Sequence, residues 1–475
     1  MDGTDIINNT FEGLFRVIQK NKINFGVAKS FSVSKNKKIY IFNLRDDLYW
    51  SDQKQLTAKD FEFSWKRILR PNFYSPKKDL FLIIKNARDI INKKKSVSSL
   101  GVKALNKTKL KLELEKPVDN LFYLLSLTPF MPVREDIVDD SGLWAKNKNT
   151  FISNGPFCLE KYTENNLVLK KNKFYYDTNK SNINNILVEY ISDPNTAYIG
   201  YKSNNIDILD NVPIGELKKL SFSDELIKAD YYGLYFYSFN TNIDCLKNKK
   251  TRQAISKAID RKKILDKIRK SQEIPANSFL HPDLIKKINK NFEFLNYFDL
   301  DQSKKLLKES GFDEKHKFPT IEILYNSESE NKVIAEAIQE MLKNNLNINI
   351  KLIGQEWSIF NTKRKNLEYN GLVKNSYILE SFDPVSFLEI FRPNSLSYTG
   401  YNNKNYNYIL NNISSLNNKQ ETNKEIFRAL KILEDEMPII PIFFYSGFFL
   451  VKPYIKDYHI NTIGYKYFGI TKIII

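Results

Sequence analysis

An α/β fold spread over more than one domain is predicted, on three observations: a length of 475 residues, stretches that alternate apolar with polar residues, and helical periods lying between them. A single core stops growing near about 250–300 residues, so a chain of this length divides. Hydrophobic residues make up 42% and aromatic residues 13%, while glycine and proline contribute only 16 each. That balance excludes disordered and fibrous classes.

Taken in chain order, the first helix signal is Thr57 with Asp60 three residues later, the pattern of a capping box. Phe61, Trp65, Ile68 and Leu69 follow at helical spacing until Pro71 ends the run. Between Lys109 and Lys116, Leu110, Leu112 and Leu114 alternate with Lys111, Glu113 and Glu115, which describes a strand with one buried face. Thr251 is expected to cap the helix carrying Ala254, Ile255, Ala258 and Ile259. Gly311 closes a helix holding Leu306 and Leu307. Ile321, Ile323 and Tyr325 alternate briefly, and Asn347 to Ile353 alternates again through Ile348, Ile350 and Leu352. Between them, Val333, Ile334, Ala337, Ile338, Met341 and Leu342 form a helical stripe, read as core packing. The Asn-rich patches Asn402 to Asn412 and Asn417 to Asn418 are expected in surface loops or at helix ends. No period of about 20–50 residues recurs, so solenoids and propellers are excluded.

Lys and Arg number 73 against 55 Asp and Glu, a net charge of +18. The surplus is mostly lysine scattered among asparagines, which reads as a solvated basic surface. Cys158 and Cys245 are the only cysteines, and neither lies at metal-ligand spacing from a histidine or the other cysteine. His281, His316 and His459 are isolated, which removes most routes to histidine-centred catalysis. The longest apolar stretch, Ile439 to Val451, is too short for about 30 Å of hydrocarbon. Met1-Asp2-Gly3-Thr4-Asp5 lacks the basic start and apolar stretch of a signal peptide, so either the chain is cytoplasmic or its leader has been removed.

One ordered set of motifs goes further. Thr10-Phe11-Glu12-Gly13-Leu14 is followed by Tyr40-Ile41-Phe42-Asn43-Leu44-Arg45, Trp50-Ser51-Asp52, Leu56-Thr57-Ala58-Lys59-Asp60-Phe61 and Ser64-Trp65. Ser153-Asn154-Gly155-Pro156-Phe157, Lys171-Asn172, Tyr175-Tyr176-Asp177 and Phe239-Asn240-Thr241 come next. Arg252-Gln253-Ala254-Ile255, Ala258-Ile259-Asp260-Arg261, Gln355-Glu356-Trp357, Phe382-Asp383-Pro384 and Val451-Lys452-Pro453 complete the series. In this order and spacing the chain resembles the family 5 extracytoplasmic solute-binding proteins over essentially its whole length. Gly101-Val102-Lys103-Ala104-Leu105, Gln355-Glu356-Trp357 and Ser386-Phe387-Leu388 resemble the oligopeptide-binding branch.

The resemblance implies an α/β, periplasmic-binding-protein type II-like two-lobed clamp with an extra third domain. One discontinuous lobe would take 1–11, 154–232 and 451–475, the extra domain 12–153, and the other lobe 233–450. Such a clamp closes by hinge motion on an extended oligopeptide and delivers it to the permease of an ABC transporter. It implies no catalysis, no cofactor and no metal, a monomer, and a periplasmic or cell-envelope location with a lipid anchor outside this chain. The alternative ligands within the family are a dipeptide, a murein peptide, a metal chelate or another small solute.

A receptor for many peptides relies on what peptides share, namely backbone polar groups and two charged ends. A buried ammonium needs a carboxylate partner. The family places an aspartate a few residues before an acidic-Pro pair, and aligning on Asp383-Pro384 puts Glu380 there, with a reach longer by one methylene. Trp357 and Tyr377 fall at aromatic pocket-wall positions of the branch. Arg364 and Lys374 align with cations that neutralise the peptide's C-terminal carboxylate, arginine by two parallel donors and lysine as a point charge. Asn326 and Tyr231 are candidate polar contacts, and Asp2, Gly3 and Thr4 align with a strand that pairs with the peptide backbone. Two other classes compete. A nucleic-acid-binding protein would draw on the +18 charge but shows no recognised module, so no nucleic-acid partner is expected. A hydrolase built on Glu380 and Asp383 lacks a nucleophile, metal set or phosphate-cradling loop.

Overall fold

The computed structural model describes residues 3–474 apart from 19–21, 76, 140, 291, 293–296, 380–382, 414–415, 417 and 462–463. Contacts divide the chain into one unit of Met1–Pro213, Ser223–Ala229 and Phe448–Ile475, and another of Ile214–Phe222 and Asp230–Gly447.

The first unit opens on a helix, α1 (Gly3–Thr10), where the resemblance implied a strand at Gly3 and Thr4; Asp2 lies outside the described residues. An eight-residue helix of poor helix formers is marginal alone. Side chains hold this one: Asp5 accepts from the Lys466 backbone N–H and from its Nζ, both at 2.9 Å. Asn9 Nδ2 donates to Lys466 O at 2.8 Å, and its Oδ1 accepts from Phe468 N at 2.7 Å. A four-stranded antiparallel sheet follows, formed by β1 (Ala28–Val33), β2 (Ile39–Leu44), β3 (Val102–Ala104) and β4 (Lys109–Glu113) in the order β1–β2–β4–β3. Leu110, Leu112 and Leu114 are buried, as the alternation requires. Helix α2 (Ala58–Ile68) forms both halves of its capping box, Thr57 N donating to Asp60 Oδ2 at 2.7 Å. Thr57→Ala is expected to cost about 0.5–2 kcal/mol in denaturant unfolding, and Thr57→Ser much less.

Three of the motifs that carry the resemblance converge on one buried cluster. Arg16 Nη1 lies 3.3 Å from Glu12 Oε2, Tyr175 OH donates to the same oxygen at 2.7 Å, and Arg16 Nη2 reaches Asp177 at 2.9 Å. Asn154 clasps the backbone of Glu12, its Oδ1 accepting from Glu12 N and its Nδ2 donating to Glu12 O, each at 3.0 Å. A Cβ on Gly155 would stand 2.6 Å from Thr10 C, so only glycine fits this crossing. Three separated motifs are thus one interlocked joint, with no ligand needed to explain them. Burial holds the Glu12 carboxyl above its ordinary value, against Arg16 and Tyr175, which favour the charged form. A raised carboxyl destabilises folding as pH climbs past its unfolded value, because only the unfolded chain releases the proton freely. Glu12→Gln is therefore expected to gain on the wild type in melting temperature as pH rises from about 4 to 7; a gap independent of pH would contradict the assignment.

The second unit is built on a mixed sheet. Its principal strands are β5 (Leu226–Phe239), β6 (Ile321–Asn326), β7 (Ile350–Gln355), β8 (Gly371–Ile378) and β9 (Ile439–Val451), in the order β9–β5–β8–β6–β7. β8 runs antiparallel to β5, and β6 runs parallel to β7 and β8. Residues Gly233 to Phe239 and Ile439 to Phe444 are mostly or wholly buried, the near-continuous apolar run expected of strands covered on both faces. The unit division falls inside β5, at Ala229/Asp230, and inside β9, at Gly447/Phe448. Gly371 (φ +150°) opens β8, where a Cβ would meet Glu322 O at 2.4 Å.

Helices α3 (Lys249–Lys257), α4 (Leu300–Glu309), α5 (Ser329–Leu346), α6 (Trp357–Lys365), α7 (Pro384–Leu388), α8 (Lys404–Ile413) and α9 (Lys419–Glu436) also belong to this unit. Three expectations need correction. Asn248, not Thr251, caps α3, accepting from Lys250 N at 3.0 Å, while Thr251 is buried within the helix. Val333 is exposed on α5, and Ala335 joins the buried stripe instead. The first Asn-rich patch is helix α8 from Lys404 onward rather than loop, because Tyr406, Ile409, Leu410 and Ile413 bury one face at helical spacing. Asn418 does mark a helix end, capping α9.

Candidate functional site

Strand β8 carries a polar run, Lys374-Asn375-Ser376, in which the pleat sends Lys374 and Asn375 to opposite faces. Lys374 stands opposite Tyr237 of β5, and its ammonium lies 5.2 Å from the ring centroid of Tyr235. The Tyr235 hydroxyl donates to Asn331 Oδ1 at 3.0 Å and stands 3.5 Å from the Tyr237 hydroxyl. Asn331 Nδ2 in turn donates to Asn326 Oδ1 and to Glu328 Oε2, each at 3.0 Å. Lys374 is only 9% exposed and makes no hydrogen bond or ion pair with a described residue. Burial pulls its pKa down to about 8, with Glu328 opposing the shift and Arg364 adding to it.

On the Asn375 face, helix α6 supplies Arg364. Its Nη1 donates to Asn375 Oδ1 at 3.1 Å and its Nη2 to Asn361 Oδ1 at 2.8 Å. The guanidinium carbon lies 4.7 Å from the Tyr398 ring centroid, 5.1 Å from Phe360 and 5.7 Å from Trp357. Arg364 Nε is buried without a hydrogen-bond partner, and burial lowers the pKa of the group. Among the described residues neither cation has a carboxylate within ion-pair distance, and Glu328 acts on Lys374 from farther away. Two desolvated cations lined by aromatic rings are suited to receive anionic or carbonyl groups.

The other sequence candidates are scattered around this pair. Trp357 begins α6, 52% exposed, its ring 5.8 Å from Phe360. Tyr377 is half-buried on β8, 5.8 Å from the Phe387 ring. Asn326 ends β6 in the Asn331 network, and Tyr231 is half-buried on β5. Asp383 caps α7, accepting from Val385 N at 3.0 Å. Glu380 lies outside the described residues. Gly3 and Thr4 belong to the other unit. The sequence reading missed Tyr235, Glu328 and Asn331; the one available signal was a polar cluster from Asn326 to Asn331 at the strand-to-helix turn. Among the described residues no group of His, Cys, Asp and Glu is arranged to hold a metal ion, both cysteines are free, and no helix is long and apolar enough to cross a membrane.

The chain is similar to known proteins. The family described as bacterial extracellular solute-binding proteins, family 5, matches residues 22–398. The dipeptide-binding protein DppE of Bacillus subtilis is 31% identical, covering 97% of this chain and 86% of its own length. The oligopeptide-binding protein OppA of the same organism is 30% identical over 98% of this chain and 87% of its own. A crystal structure of a periplasmic oligopeptide-binding protein from Borrelia burgdorferi, OppAIV, superposes with a TM-score of 0.84 at 28% identity, covering 99% of this chain and 95% of that one.

Proposed function

Because the chain belongs to the family 5 bacterial extracellular solute-binding proteins, we propose that it is a peptide receptor that delivers its ligand to an ABC permease. The observation that carries this reading is a buried lysine on β8 and a half-buried arginine on α6, neither of which forms an ion pair with a described residue. A structure leaves such charges uncompensated at a cost, and a site that receives anions is where that cost has a use. Lys374 and Arg364 serve the ligand's C-terminal carboxylate, and since they approach from opposite faces of β8 they serve it in alternative positions, for peptides of different length. Trp357 and Tyr377 supply apolar walls. Asn326, Tyr231 and Asp383 contribute polar contacts or hold backbone, and Glu380 is the partner of the ligand's ammonium.

The chain comprises three domains in this reading: 12–153, the discontinuous lobe 1–11, 154–232 and 451–475, and the other lobe 233–450. Gly3 and Thr4 would act through main-chain groups. The protein works as a lipid-anchored monomer without catalysis, outside the cytoplasm. Relatives named for dipeptides and for oligopeptides support the ligand class and leave its length open.

Native mass spectrometry of protein purified from its own cells tests the reading. It is expected to carry a ladder of masses that fragment as peptides. A single non-peptide solute released from every preparation would contradict it.

A further inference from the structure

Three hydrogen bonds meet on Asn331, in the first turn of α5 and 3% exposed: one from the Tyr235 hydroxyl, one to Asn326 and one to Glu328. Two of these partners act on Lys374. The Tyr235 ring lies beneath its ammonium at 5.2 Å, and the Glu328 carboxylate favours its charged form. Resting on the reading of Lys374 as the group that meets a ligand carboxylate, we propose that Asn331 is a positioning residue that holds the Tyr235 ring beneath Lys374 and keeps the Glu328 carboxylate turned where its field reaches the ammonium. A phenol ring attracts a cation only face-on, and the bond to Asn331 Oδ1 fixes the end of that ring. Glu328 has an exposed side chain, and without Asn331 Nδ2 its carboxylate is free to turn to water. One amide thus restrains both influences, using its acceptor for one and its donor for the other.

The remaining groups around Lys374 do not duplicate this role. Arg364, from α6, disfavours the charged lysine. Tyr237 stands opposite it in register on β5. Arg269 and Tyr445 act on Tyr235, the latter's ring 6.1 Å away.

Trialanine and its C-terminal amide, titrated into wild-type, Asn331→Leu and Tyr235→Phe protein from about pH 6 to 10, provide the test. The ratio of free-acid to amide affinity in the wild type should fall as pH rises through about 8, since the ligand's own amino group, which titrates near about 7.7–8.0, is common to both forms and cancels. Asn331→Leu should move that fall to lower pH by about half a unit to one unit, with amide binding unchanged. Should the leucine variant fail to fold, Tyr235→Phe keeps the ring, deletes the tie and should move the fall in the same direction by less. An unmoved midpoint in the folded variants, or equal losses for acid and amide at every pH, overturns the positioning role. Wild-type protein that does not distinguish acid from amide overturns the reading of Lys374, and the proposal with it.

Discussion

Replacing Lys374 with methionine is expected to weaken binding of peptides with a free C-terminal carboxylate by about 2–5 kcal/mol, while C-terminally amidated peptides bind as before. The range is that for truncating one member of a buried charge pair, much of it the penalty of leaving the other charge dry and alone. Methionine keeps the stem's length and apolar packing over Tyr235, so the loss reads the charge rather than a cavity. The same variant should fold at least as well as the wild type. Lys374 titrates lower in the folded chain than in the unfolded one, so the unfolded state binds its proton more readily and folding stability rises with pH from about 8 upward. Removing the charge removes that cost at neutral pH. A variant that loses peptide affinity and stability together would mark Lys374 as structural. Isothermal titration and thermal melts on the same samples separate the two outcomes.

Glu380→Gln should cost a similar amount, about 2–5 kcal/mol, for peptides with a free amino terminus, and little for N-acetylated ones. The argument is chemical. A peptide ammonium taken out of water needs a fixed negative partner, and glutamine offers only a neutral carbonyl in nearly the same volume. Equal losses for free and acetylated peptides would remove Glu380 from this role. Glu380→Asp keeps the charge, shortens the reach by one methylene and provides a second comparison. Parallel titrations with the free and acetylated forms of one peptide measure all three proteins.

What was legible in the sequence followed local periodicity. The alternation at Leu110, Leu112 and Leu114 and the capping box at Thr57 and Asp60 each depend on neighbours within a few residues, and both formed. Helix α8 carried its period as well, through Tyr406, Ile409, Leu410 and Ile413, but asparagines between them obscured it. Helix α1 was hidden for a different reason: Lys466 and Phe468, more than 450 residues away, hold it through Asp5 and Asn9. The same distance in sequence concealed the site network. Tyr235, Asn331 and Lys374 come from three segments, and no spacing announces that an amide at 331 will meet a phenol at 235. Motif resemblance pointed to Arg364 and Lys374 as candidates, yet it could not tell that successive residues of one strand would turn Lys374 and the Asn375 partner of Arg364 to opposite faces.

The most direct test of the central claim is calorimetry on ligand-stripped protein with one tripeptide in two forms, unmodified and blocked at both ends. A receptor that grips charged termini binds the first and largely loses the second, whatever the side chains. Equal affinity for the two forms, or heat from neither across a set of unrelated peptides, would contradict it.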